Sequence, residues 1–116
     1  MEIIIENKSF DFAVRIVNLY KYLFFEKREH ILSKQLLKSG TGIEANVAEA
    51  QKAQTGPDFN SKMCIALKEA NETYYWLRLL YKTDYLNETE FCSMESDVRE
   101  IIAILTSICK KTNINC

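Results

Sequence analysis

The chemistry open to this chain is bounded by its rarest residues. There is one histidine, His30, in 116 residues, so any imidazole-based relay, metal site or nucleophilic pair must use it. A di-iron centre of the kind held inside helical bundles needs Glu-x-x-His on two helices. The residue three before His30 is Lys27, and no second histidine exists. A Cys–His or Ser–His–Asp arrangement would again draw on His30, far in sequence from Cys64, Cys92, Cys109 and Cys116. No two cysteines form a C-x-x-C pair, which argues against zinc and iron–sulfur ligation; free thiols in a reducing compartment are expected over disulfides. Gly40-Thr41-Gly42 lacks the following glycines and the lysine of a phosphate-binding loop. Glu69 and Glu72 read better as a solvated or interface stripe than as an acid–base pair. The chain is therefore expected to be no enzyme, with no cofactor and no metal.

Binding remains. Arg15 and Lys21 lie on the first helical segment, Lys34, Lys38 and Lys52 on the second, and Arg78 on the third; these six are the candidate nucleic-acid contacts. Ordinary solvated charge accounts for the same residues on a single chain. The net charge of −1, from 15 basic and 16 acidic side chains, supplies no global attraction to nucleic acid. Any such contact has to come from a local patch or from its repetition in an oligomer.

The elements that must position these residues are helices. Hydrophobic residues make up 47% of the chain, while Gly is 3 and Pro is 1, too few turn formers for an all-β chain. Apolar residues recur at helical spacing in four segments, expected at about 8–27, 30–54, 57–82 and 88–111, with short connections. The expected fold is all-α, an antiparallel up-down-up-down four-helix bundle forming one domain over 1–116.

In the first helix, Phe10, Val14, Val17, Tyr20 and Phe24 define one face, widened by Ile16, Leu19 and Leu23, with Asn7 or Ser9 as cap; Met1–Glu6 reads as a terminal arm. In the second, the face Leu32, Leu36, Ser39, Ile43, Val47 and Ala50 keeps its phase through Gly40 and Gly42. That favours one helix, bent or tightly packed there, over a hairpin. Asn46 is expected to satisfy a neighbouring helix, with a ligand site as the alternative. Thr55 with Asp58, then Asn87 or Thr89, mark the next two helix starts. On the third helix Ile65, Trp76 and Leu79 flank the inner face and are the candidate oligomer interface. Lys110 and Lys111 suit the last helix's C-terminal end, and Thr112–Cys116 reads as a frayed tail. No apolar run reaches the roughly 20 residues of a membrane span. No secretory signal is visible either, so a cytoplasmic protein with no membrane partner is expected.

SKQLLKSGTGIEANVAEAQ at 33–51, Asp58-Phe59, Ser61-Lys62 and IALKEANETYYWLRLL at 65–80, together with FAVRIVNLYKYL at 12–23, resemble the four-helix-bundle proteins of the 23S rRNA-intervening-sequence family, bacterial proteins whose genes were first recognised in insertions within large-subunit ribosomal RNA. The fourth helix resembles the family in pattern only. A relative, the accessory protein of diversity-generating retroelements, is a ring-shaped homo-pentamer that associates with a reverse transcriptase and binds nucleic acid through a basic surface. The resemblance thus implies a homo-oligomer, a pentamer, with RNA, DNA or a reverse transcriptase as partners. The slightly acidic balance of this chain departs from that relative. Two functions stand side by side: an oligomeric nucleic-acid-associated accessory protein, and a protein-binding or structural module without nucleic-acid binding.

Overall fold

The structure, a computed structural model, describes residues 2–112, with the side chains of 4–109. Four helices follow one another, α1 (Glu2–Lys21), α2 (Leu32–Gln51), α3 (Gly56–Lys82) and α4 (Glu88–Thr112), and a π turn (Tyr22–Glu26) extends α1. There is no strand among the described residues. Contacts across each pair run in opposite chain directions. Ile16 meets Gly40 while Phe24 meets Lys34; Thr73 bonds Ser39 while Lys62 reaches Glu49; Tyr81 stacks on Phe91 while Tyr74 reaches Glu95; Lys8 pairs with Glu100 while Arg15 pairs with Asp97. Neighbouring helices are therefore antiparallel, in the order α1–α2–α3–α4, with α1 and α3 on a diagonal. The bundle measures 45 × 21 × 21 Å.

The helix starts are built by short polar side chains. The Thr55 hydroxyl accepts from the Asp58 N–H at 3.1 Å. Asn87 and Glu90 bond reciprocally, each side chain to the other's backbone N–H at 2.8 Å, the geometry of a capping box. The start of α2 differs from expectation. It begins at Leu32, and Glu29 caps it from outside: its carboxylate accepts from Ser33 N–H at 2.6 Å and from Ile31 N–H at 3.2 Å. Burial raises the carboxyl pKa of Glu29, but the N–H groups of Leu32, Ser33 and Ile31 outweigh it and hold the group below its ordinary value. At the other end, α2 stops at Gln51 rather than near Gln54.

The first helix also differs. It starts at Glu2, so residues 2–7 are helical rather than an arm, and neither Asn7 nor Ser9 is a cap. Its inward face is Ile5, Ser9, Phe12, Ile16 and Leu23, all buried, whereas Phe10 is 58% and Val14 47% exposed. The reason is that α1 is apolar on two opposite sides, and spacing alone does not say which one meets the bundle. The inner stripe is disguised by Ser9, whose hydroxyl donates to the Glu6 carbonyl. Burying Phe12 and Ile16 contributes roughly 1.5–3 kcal/mol each.

The glycine stretch lies inside one continuous helix, with no glycine at positive φ. A Cβ on Gly40 would stand 2.7 Å from the Ile16 side chain of α1, and one on Gly42 would stand 2.5 Å from the Glu69 carboxylate of α3. Asn46 does not reach a neighbouring helix; its Nδ2 donates to the Gly42 carbonyl of its own helix at 2.8 Å. Lys110 and Lys111, as side chains, and residues 113–116 of the expected tail lie outside the described residues; Thr112 ends α4.

Candidate interaction surfaces

Of the groups that could do covalent chemistry, His30 and Cys109 are engaged by their neighbours. His30 is exposed, its ring 4.3 Å from that of Phe24. Its Nε2 lies 3.0 Å from the Phe24 carbonyl oxygen, which places the proton on Nε2. Cys109 is buried, and burial together with the neighbouring Cys64 thiol pushes its pKa up to about 12, far from nucleophilic at neutral pH. Cys92 is exposed. No group of three or more His, Cys, Asp or Glu side chains among the described residues could hold a metal ion. Glu69 has its pKa raised, by burial first and by the Glu72 charge second, while Glu72 accepts from the Trp76 indole N–H at 3.3 Å.

The six candidate cations do not form one patch. Arg15 sits in the seam between α1 and α4, pairing with Asp97 and donating to the Ser93 hydroxyl at 2.7 Å. It lines a groove of about 450 Å³ with Tyr22, Glu90 and Met94. Arg78 lies over the Tyr74 ring on the α3–α4 side, 5.7 Å from its centroid. Lys38 is exposed on α2, and its charge acts on Glu69. Lys52 is exposed at the C-terminal end of α2, 18 residues and roughly 27 Å along the helix from Lys34. Lys34 and Lys38 are neighbours one turn apart on α2, and Lys34 lies near the corner where Lys21 ends α1 and the chain turns into α2.

That corner was missed by sequence reasoning. The π turn leaves Lys27 N–H bonded to the Tyr22 carbonyl at 3.1 Å; Arg28 then takes φ 59°, and Glu29 N–H closes on the Leu23 carbonyl at 2.9 Å. The extra residue in the turn carries Phe25 outward, 67% exposed, and Ile31 follows at 73%. Phe24 is packed by Tyr20, Phe25 and His30, and the Lys34 ammonium lies 5.7 Å from its ring centroid. The available signal was the interleaving of aromatics with lysine and arginine from Tyr20 to Arg28.

The candidate interface residues fall together on the outer side of α3. Ile65 is 40% exposed, and Trp76 and Leu79 are half-buried. Tyr75, 52% exposed, meets Trp76 edge to face at 4.8 Å. On α1, Phe10 and Val14 make the matching outward stripe.

Three comparisons bear on this arrangement. The model of a family described as 23S rRNA-intervening sequence protein matches residues 1–107. A crystal structure of a protein of unknown function, from the S23 ribosomal protein family of Bacteroides thetaiotaomicron, is 51% identical, with a TM-score of 0.92 over 94% of this chain and 97% of that one. No curated protein matches.

Proposed function

The chain belongs to the 23S rRNA-intervening sequence protein family, and from that premise we propose that it is a self-associating binding protein rather than an enzyme. The observation that carries this reading is the second apolar face of α1. Phe10 and Val14 project from the side opposite Phe12 and Ile16, on a helix already buried against α2 and α4. Ile65, Tyr75 and Leu79 give the diagonal helix α3 an outward apolar stripe of its own. Two different outer faces on one protomer suit a head-to-tail contact, α1 of one copy on α3 of the next, which generates a ring when the rotation closes. Five copies is the count that the resemblance in sequence implies. The described helices include none long and apolar enough to cross a membrane, which fits a protein working in the cytoplasm. RNA, DNA or a reverse transcriptase are the further partners in this reading. The scattered cations favour a local contact over a broad basic surface.

Sedimentation at micromolar concentration tests the assembly. The unaltered chain is expected at a multiple of 13.5 kDa, and the double variant Phe10→Asp/Val14→Asp at the protomer mass with its helical circular dichroism intact. A 13.5 kDa species for the unaltered chain would overturn the reading.

A further inference from the structure

We propose that the corner between α1 and α2 is a binding site for single-stranded nucleic acid, with a base stacking on the exposed Phe25 ring and phosphates paired with Lys21, Lys27, Arg28 and Lys34. Residues 21–34 carry these four cations against Glu26 and Glu29, a local charge of +2 in a chain whose total is −1, so the rest of the molecule carries −3. Glu29 is turned inward as the cap of α2 and is 8% exposed, so Glu26 is the one exposed acid among these residues. A stretch of net positive charge in an acidic chain thus also carries the exposed Phe25 ring.

The shape selects the ligand. An amphipathic protein segment is held in a groove that buries its apolar side chains. Here Phe25 projects instead of lining a cleft, propped edge to face against Phe24 at 5.0 Å. The neighbouring rings carry the cations, Lys27 lying over Tyr22 and Lys34 over Phe24, and a protruding ring in such a cationic corner is a stacking platform, the arrangement that holds single strands with little regard for sequence. Duplex DNA keeps its bases inside the stack and would engage the cations alone. The aromatic support is anchored: Leu23, one residue before Phe24, is fully buried, and the Glu29 N–H closes the turn on the Leu23 carbonyl at 2.9 Å. The site is complete on one chain and does not rest on self-association.

Fluorescence anisotropy with labelled oligo-uridylate and oligo-thymidylate of about 20 nucleotides, and with a duplex of equal length, at about 50 and about 200 mM salt, tests the site. Single strands are expected to bind more tightly than duplex, with a log–log salt slope near −3, or about 0.7 for each phosphate neutralised. Phe25→Ala should weaken single-strand binding about tenfold while leaving duplex binding unchanged. Lys27→Glu/Arg28→Glu should weaken both, and Lys52→Glu, at the other end of α2, should change neither. The Phe10→Asp/Val14→Asp protein, measured alongside, separates loss of assembly from loss of the site. No binding at low salt, equal affinity for duplex, indifference to Phe25→Ala, or displacement by polyglutamate at the same concentration as by oligonucleotide would each overturn the proposal.

Discussion

Helix α2 and the α1–α4 seam solve the same packing problem in opposite ways. Along α2 the neighbours come close because side chains have been removed. Gly40 admits Ile16, Gly42 admits Glu69, and the buried Ser39 and Thr73 hydroxyls bond each other at 2.9 Å across to α3. Between α1 and α4 the helices pack least and are tied by the Lys8–Glu100 and Arg15–Asp97 pairs, with an open groove above Leu19 and Met94. The first kind of seam is close-fitting and specific in shape. The second is wet and electrostatic, and exposed ion pairs of this kind contribute little to stability. The difference teaches that the bundle hangs on α2 and closes only loosely on its far side.

Substitutions should separate the two regions by size of effect. Gly40→Leu is expected to cost the most, about 2–3 kcal/mol in urea melts, because the buried, branched Ile16 has nowhere to go. Gly42→Ala should cost under about 1 kcal/mol, since the obstructing atoms are the far end of a Glu69 side chain that can swing aside, and alanine favours the helix. Equal costs at the two glycines would break the distinction.

Glu29→Ala should cost about 1–2 kcal/mol by leaving the first N–H groups of α2 without their acceptor. Its pH dependence has a definite sign. The carboxyl is held below its ordinary value in the fold, so its stabilisation is complete above the unfolded value of about 4.3 and is lost as pH falls through the lower folded value. The gap between unaltered and variant melting temperatures should therefore narrow in acid and stay constant from about pH 6 to 8. The smallest effect belongs to the loose seam. Arg15→Ala should cost under about 1 kcal/mol, and the cost should shrink further at high salt. A loss as large as that of Gly40→Leu would show the seam to be tighter than its groove suggests.

How legible each part was follows from what set it. The interior of α4 could be read from spacing because one face alone is apolar: Phe91, Met94, Val98, Ile101, Leu105 and Ile108 are all buried. The starts at Thr55 and Asn87 could be read because side chain and backbone are neighbours in sequence. The phase through Gly40 and Gly42 pointed to a close approach, though not to which partner. The α1 face was misassigned because Phe10–Val14 and Phe12–Ile16 are equally good stripes, and the choice belongs to contacts with α2 and α4. The corner was hidden for a different reason. Whether Phe25 faces inward or outward depends on one extra residue in the last turn of α1, and a π turn has no propensity signature of its own. The cations were visible, but their grouping depended on which helix ends share a corner.

Gly40 and Gly42 are two residues apart and so point roughly 200° from each other around α2. Their combined effect is on orientation rather than strength. If α2 turned about its axis, or slid by one position, Ser39, Thr41 or Ile43 would meet Ile16 or Glu69 with a side chain where there is now none. A bundle joined only by interchangeable leucines and isoleucines has several rotational settings of similar energy. Here two missing methyl groups, aimed at two different neighbours, act as a key cut on both edges, and only one setting of α2 lets α1 and α3 close at the same time.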